Sequence, residues 1–191
     1  TTSSKLAISP KQIEIVEMNL VGSQSNYQVL GNVDLSPLEL DLHIKLISGQ
    51  IKEVFPLVGI EMSQAFAGNL EGYMHLTGDV KSPQGRLFLD LVDGEVGVEE
   101  LSGSLDLSLV DNAAVINRLR LETDQGLLVA MGEIRAGELE LYTSGSNLPL
   151  TLLTSYFNYQ DQTLTGEVNF EANLSGKLSQ LNGQSQLSVS E

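Results

Sequence analysis

The residues of this chain that could do chemistry are few and lie far apart in the sequence. His43 and His75 are the only two histidines. Neither has another ligand-type residue at the spacing of a metal-binding or catalytic motif. Each lies on the polar side of a segment in which apolar and polar residues alternate, where side chains are solvated. We therefore expect both imidazoles to face water and to belong to no site.

Acidic residues form two local groups. Asp90, Asp93 and Glu95 surround a glycine, but their spacing does not match a calcium-binding EF-hand loop. A hairpin turn at that glycine accounts for them better. Glu138 and Glu140 alternate with leucines and are predicted to face water. Neither group predicts a metal site.

Sequence motifs of the common enzyme classes are missing. The chain has no G-x-S-x-G, P-loop or H-E-x-x-H motif. Asn173-Leu174-Ser175 has the letters of a glycosylation sequon, but it lies within a predicted strand. It also has no cysteine, which excludes a disulfide framework and a thiolate metal site. We expect a non-enzymatic protein with no catalytic residue, no metal and no cofactor.

Charge and composition limit the classes of molecule that this chain can bind. The formal charge of −15 comes from 25 acidic and 10 basic residues, and such a surface repels nucleic acids and anionic lipid headgroups. Hydrophobic residues make up 41% of the chain but aromatic residues only 5%, so Leu, Val and Ile supply most of the apolar surface. No segment approaches the ~20 apolar residues of a membrane span. The first five residues do not resemble a signal peptide, so an anchor is expected outside this sequence.

The elements that must position these residues are predicted β-strands. Leu40, Leu42 and Ile44 alternate with polar residues, which is the pattern of a strand with one wet face. Short turns such as Asp93-Gly94 and 124–126 favour antiparallel hairpins, and no long helical period separates the strands. Further predicted strands are Tyr27–Leu35, Leu70–Thr77, Leu128–Arg135, Val168–Ser175 and Gln184–Ser190.

The chain also repeats itself. Gly68–Gly78 aligns without a gap with Gly166–Gly176, and other segments align at a similar spacing of roughly 100 residues, as in tandem-repeat proteins. Stacked units of this kind share one continuous core. We predict two units of one sheet, residues 1–108 and a truncated unit at 109–191.

Two irregularities recur in both copies. The apolar residues switch between odd and even residue numbers near Val16-Glu17 and again near Asn117-Arg118. Because side chains alternate between the two faces of a strand, such a switch requires an extra residue in the strand. The sequence therefore predicts a β-bulge at each place. Each copy also has a short candidate helix, at 51–58 and 150–157. These are read as small plugs over one end of the core, with a gate or docking element as the alternative.

The order of these parts resembles the TamB/AsmA-like superfamily of bacterial envelope proteins over nearly the whole chain. The resemblance lies in a Leu-x-Leu strand pair, a short apolar helix around Phe55 or Tyr156, a G-x-x-x-x-P-x-G-x-L step at Gly78–Leu87 and the passage Leu119–Ile134. The second copy departs from it at Leu181, where the first has Pro83.

The resemblance implies a β-taco, which is a long sheet folded lengthwise into a groove that is apolar inside. It further implies a periplasmic location, a membrane anchor elsewhere in the parent protein, a TamA-like outer-membrane assembly-barrel partner, and phospholipid or another acyl-chain ligand. The residues expected to line the groove are Leu40, Leu42, Ile44, Leu70, Met74, Leu76, Leu87, Leu89, Leu91, Leu105, Leu107, Leu109, Val168, Phe170 and Leu174.

Alternating strands alone leave other structures and functions open. A closed β-sandwich would bury the same leucines with no groove. A chaperone-like factor would pair an open sheet edge with an outer-membrane β-strand. A passive structural stalk would have a solid interior. The groove is the preferred interpretation because of the family resemblance.

Overall fold

The computed structural model describes residues 3–54, 56, 66–152, 165–177 and 180–190. The protein is all-β: twelve antiparallel strands form one sheet in which each strand pairs with its neighbours in chain order. The sheet is not closed into a barrel. The strands are β1 (Ser3–Ile8), β2 (Gln12–Val21), β3 (Ser25–Leu35), β4 (Leu38–Gln50), β5 (Phe66–Asp79), β6 (Gln84–Val96), β7 (Glu99–Val110), β8 (Ala113–Glu122), β9 (Leu127–Arg135), β10 (Glu138–Pro149), β11 (Glu167–Lys177) and β12 (Gln180–Ser190).

The sequence repeat appears as a repeat of strands. β2 to β6 correspond in order to β8 to β12, and the short helical segment after β4 corresponds to one after β10. β6 pairs with β7 along most of its length, so the two copies share one sheet without a break. The predicted boundary between residues 108 and 109 lies within β7.

Both predicted β-bulges are present. On β2, Ile15 pairs with Gly31 but Met18 pairs with Val29, so the bulged strand has an extra residue. On β8, Ile116 and Leu119 flank the corresponding irregularity. In each copy the bulge restores the apolar side chains to one face after the change in parity.

The structure corrects one predicted turn. Asp93-Gly94 does not connect two strands, because β6 continues through it to Val96 and the turn to β7 lies at 97–98. The pairing of β6 with β7 is instead irregular between Leu91 and Gly94, and Asp93 has a positive φ of 50°. The second predicted turn is present, since the Thr123 amide donates a hydrogen bond to the Gly126 carbonyl over 2.9 Å.

Short helices cover one end of the sheet. Helix α1 (Ile51–Val54) follows β4, and a helical turn at 150–152 follows β10. Because β4 and β10 run in the same direction, both turns leave the sheet at the same end. Apart from residue 56, the remainder of the two predicted helices lies outside the described residues.

The best-packed core lies beneath these turns. Ile51 of α1 is 2% exposed, and Val96 at the end of β6 is 0% exposed. Val54 and Leu152 pack against the same cluster, which fits the plug interpretation of the described helical turns. The buried members of this cluster are Leu46, Ile51, Leu70, Leu91, Val96 and Leu101.

Hydrogen bonds tether α1 to the sheet. The Glu53 carboxylate accepts bonds from the Ser23 amide at 3.0 Å, the Ser23 hydroxyl at 2.9 Å and the Gln24 amide at 2.8 Å. The Ser23 hydroxyl is the main cause that lowers the pKa of Glu53 below its usual value, because it favours the charged form. The four-residue helix is thereby held over the β2–β3 connection.

Candidate functional site: the apolar face

Strand pairing places the leucine-rich positions on one side of the sheet. Directly paired residues of antiparallel strands point to the same side. Ile44 pairs with Met74, Met74 with Leu87, and Leu87 with Leu107. Such rows run across the strands, and we call the side to which they point the apolar face.

All fifteen residues proposed from the sequence as groove lining lie on this face. The pairing continues from Leu107 through Ile116 and Gly132 to Leu141 and Leu174, so the apolar residues of the second copy lie on the same face as those of the first. The full set is Leu40, Leu42, Ile44, Leu70, Met74, Leu76, Leu87, Leu89, Leu91, Leu105, Leu107, Leu109, Val168, Phe170 and Leu174.

Most of these side chains remain partly accessible to solvent. Only Leu70, Leu91 and Val168 are buried, and the other twelve are partly exposed. Twelve partly exposed apolar residues on one face of a single sheet fit an uncovered face better than a closed sandwich.

The apolar face extends to both edges of the sheet. Ile8 on β1 is 73% exposed and Leu187 on β12 is 64% exposed. Both belong to the apolar face, since Ile8 pairs with Ile13 and Leu187 with Phe170. Among the described strands, β1 and β12 are the two outermost, and each pairs on one side only. The apolar face is thus most exposed on its two outermost strands.

Glycines between the leucines let neighbouring strands approach closely. A Cβ at Gly132 would overlap the carbonyl oxygen of Glu140 on the next strand, and one at Gly31 would overlap that of Asp41. The two glycines occupy matching places in the two copies, opposite Leu141 and Leu42. Since a side chain there would collide with backbone, both positions require glycine.

The opposite side of the sheet, which we call the polar face, has charged contacts. Arg86 donates hydrogen bonds to Asp106 at 3.0 and 2.7 Å, and Asn117 donates a further one to Asp106 at 3.1 Å. The bond from Arg86 is the main cause that lowers the pKa of Asp106. Phe88, an apolar residue at a polar position, stacks on Tyr73 with ring centroids 4.9 Å apart. The Arg86 guanidinium lies 4.3 Å from the Phe88 ring centre.

The structure corrects the interpretation of the histidines. They face water, as expected, but they are not isolated from other ligand-type residues. His43 on β4 pairs directly with His75 on β5, and their rings stack with centroids 4.0 Å apart. Asp41 lies 2.8 Å from His75 Nε2. Motif spacing missed this cluster because sheet pairing joins residues that are distant in sequence. Alternation places both histidines on the polar side of their strands, but it does not show that they lie opposite each other.

A depression of about 580 Å³ lies over β9 to β12. Most of its lining belongs to the polar face, including Ser144, Asn169, Glu171 and Gln186. Leu127 and Val129 also line it, so its surface is mixed and differs from the uniformly apolar rows of leucines. The fifteen candidate lining residues therefore form a surface distinct from this depression, which includes only one of them, Phe170.

Comparisons with protein-family models, curated proteins and solved structures find no match. Among the described residues, no helix has both the length and the apolar character that crossing a membrane requires.

Proposed function

We propose that this chain is a non-enzymatic segment of a hydrophobic groove that shelters or conducts phospholipid acyl chains between two membranes. The observation that carries the proposal is the continuous apolar face, on which twelve of the fifteen lining residues stay partly exposed. A soluble monomer rarely leaves such a contiguous apolar surface uncovered unless something binds there.

Acyl chains suit this surface energetically. Each CH₂ group that leaves water for an apolar surface contributes about 0.8 kcal/mol. Leucines occupy successive rows of the sheet, for example Leu87, Leu89 and Leu91 along β6 and Leu105, Leu107 and Leu109 along β7. A chain that moves from one row to the next exchanges similar contacts, so no position along these rows is a deep energetic trap.

The resemblance to TamB/AsmA-like proteins supports the cellular part of the proposal. It suggests a place in the periplasm within a parent protein anchored in the inner membrane, and a TamA-like outer-membrane partner. The formal charge of −15 disfavours docking on anionic headgroups, so the acyl chains rather than the headgroups would be bound.

The test is lipid occupancy of the purified chain. Native mass spectrometry and solvent extraction should detect co-purified phospholipid, and a fluorescent fatty acid should bind with a blue-shifted, enhanced signal. Leu42→Asp and Leu107→Asp place charges on the apolar face and should reduce this signal severalfold. Leu187→Asp is a second variant for the same face, and its wild-type side chain is 64% exposed, so it perturbs folding little.

The matched control is Leu30→Asp. Leu30 pairs with His43 and therefore lies on the polar face, where its side chain is 38% exposed. This variant should bind fatty acid as the wild type does. An equal loss of fatty-acid binding in Leu30→Asp and Leu187→Asp would contradict the groove proposal. So would a wild type that carries no phospholipid and binds no fatty acid.

The exposed sheet edges favour a second candidate function, that of a chaperone-like factor for outer-membrane β-strands. Within the described part of the chain, every residue of β12 is exposed and β11 is the strand it pairs with. A β-strand peptide could add to such an edge through main-chain hydrogen bonds. Binding of an outer-membrane β-strand peptide that is insensitive to Leu42→Asp but is lost on proline substitution at outward-facing β12 amides would favour this function over the groove.

A further inference from the structure

We propose that Asp41, His43 and His75 form a binding site for a transition-metal ion such as Zn²⁺ on the polar face. One ligand atom from each of the three residues can be chosen so that all lie within 4.8 Å of one another. Two imidazoles and one carboxylate are a donor set that suits zinc and other borderline divalent ions rather than Ca²⁺ or Mg²⁺.

The spacing of the ligand atoms is close to that around a bound ion. Asp41 Oδ1 lies 2.8 Å from His75 Nε2 and 3.8 Å from His43 Nε2. Ligand atoms around a tetrahedral zinc, at 2.0–2.1 Å from the metal, are about 3.3 Å apart. The two stacked imidazoles must turn out of their parallel arrangement so that both ring nitrogens point at one ion. The three side chains are 43–61% exposed, which leaves them room to turn. The remaining coordination positions would face solvent and hold water.

The backbone fixes the spacing of the ligands. His43 and His75 are directly paired across β4 and β5, and Asp41 precedes His43 by two residues on the same face. Pairing thus positions all three Cβ atoms before any ion arrives. A bound ion would link the two strands on the polar side, behind the row that contains Leu42 and Leu76.

Neighbouring charges leave the cluster available. On β6, Arg86 pairs with His75, but its guanidinium is directed to Asp106. On β3, the residues opposite His43 and Asp41 are Leu30 and Asn32, which carry no charge. Lys45 follows on the same face of β4. None of these side chains is shown bonded to the Asp41 carboxylate, whose described partners are the two histidines.

The second copy shows that the sheet does not need these residues. At the corresponding places Tyr142 pairs with Asn173, and Glu140 takes the position of Asp41. The same strand pairing therefore forms with a non-ligating pair. The histidine pair is present in the first copy and absent from the second, so the strand pairing itself does not require it, which suits a ligand-binding role better than a structural one.

The experiment uses the chain without a histidine tag. Because it contains only two histidines and no cysteine, imidazole-dependent binding can arise from no other side chains. Isothermal titration with Zn²⁺ should give one ion per chain, while Mg²⁺ should give no comparable heat. Asp41→Asn should weaken zinc binding by at least about tenfold, since loss of even an outer partner of a metal site commonly costs that much.

The repeat supplies matched variants. His43→Tyr/His75→Asn copies the second unit, so it should fold and lose zinc binding. Tyr142→His/Asn173→His, next to Glu140, should raise the stoichiometry from one ion to two. Unchanged zinc binding in the first double variant, or an absence of wild-type binding, would overturn the proposal.

A spectroscopic measurement on the wild type keeps the test independent of variant folding. The imidazole NMR signals of His43 and His75 should both shift or broaden with the first equivalent of Zn²⁺. Signals that stay unchanged through that equivalent would overturn the site, even where zinc binds to carboxylates elsewhere. The outcome does not depend on whether the apolar face binds lipid.

Discussion

If the apolar face is open, the same substitution should have different energetic costs at covered and uncovered leucines. Leu70 is 4% exposed beneath the helical turns, whereas Leu107 is partly exposed in the middle of the apolar face. Leu70→Ala should leave a cavity and lower the free energy of unfolding by about 3–4 kcal/mol. This cost combines the lost free energy of burying the deleted methyl groups with the cost of the cavity. Leu107→Ala leaves no cavity because solvent fills the space, so only part of the transfer term of about 2 kcal/mol is lost.

Enlarging the same two side chains gives the converse test. Leu70→Phe should cost about 1–3 kcal/mol, because a well-packed site must rearrange to accept the ring. Leu107→Phe should be nearly neutral, since the ring can extend from an uncovered surface. Val96, which is 0% exposed, provides a second covered position.

Urea denaturation followed by circular dichroism measures these differences as shifts of the midpoint at constant slope. The purified chain should be stripped of lipid first, since a bound ligand stabilises the folded state. If Leu107→Ala and Leu107→Phe are as destabilising as the Leu70 variants, a second layer covers the apolar face and the groove interpretation is wrong.

Three further predictions concern single residues. The Tyr27 hydroxyl is buried without a hydrogen-bond partner among the described residues, so Tyr27→Phe should raise the urea midpoint, by up to about 1 kcal/mol in unfolding free energy. Gly132→Ala should destabilise by about 1–3 kcal/mol, because the new Cβ would overlap the Glu140 carbonyl oxygen. Gly31→Ala should do the same in the first copy, and a neutral result at both positions would contradict the close strand approach. Because Arg86 lowers the pKa of Asp106, this ion pair stabilises the fold above the ordinary aspartate pKa of 3.8 and ceases to do so as the pH falls through the lowered value. Asp106→Asn should therefore lower the urea midpoint at neutral pH, and the difference from wild type should shrink in acid. A difference that is independent of pH would contradict a stabilising role for this ion pair.

Local pattern was enough to predict most of the strands, though not β1, and two of the irregularities in their pairing. The alternation at Leu40, Leu42 and Ile44 identified the apolar side of β4, because a strand places successive side chains on opposite faces. The parity change before Met18 and Leu119 predicted both bulges for the same geometric reason. The Asp93-Gly94 prediction was wrong because an acidic residue before glycine favours a bulge with positive φ as well as a hairpin turn.

The sequence by itself determined an all-β repeat with one apolar and one polar side, since side-chain periodicity is a local property of the chain. Only the tertiary structure decided what lies across from each residue. It placed His75 beside His43 and Asp41, and it left Leu107 partly exposed while covering Leu70 with the turn at Ile51. Pairing register and the covering of a face depend on segments far apart in sequence, and the alternation within a single strand does not encode them.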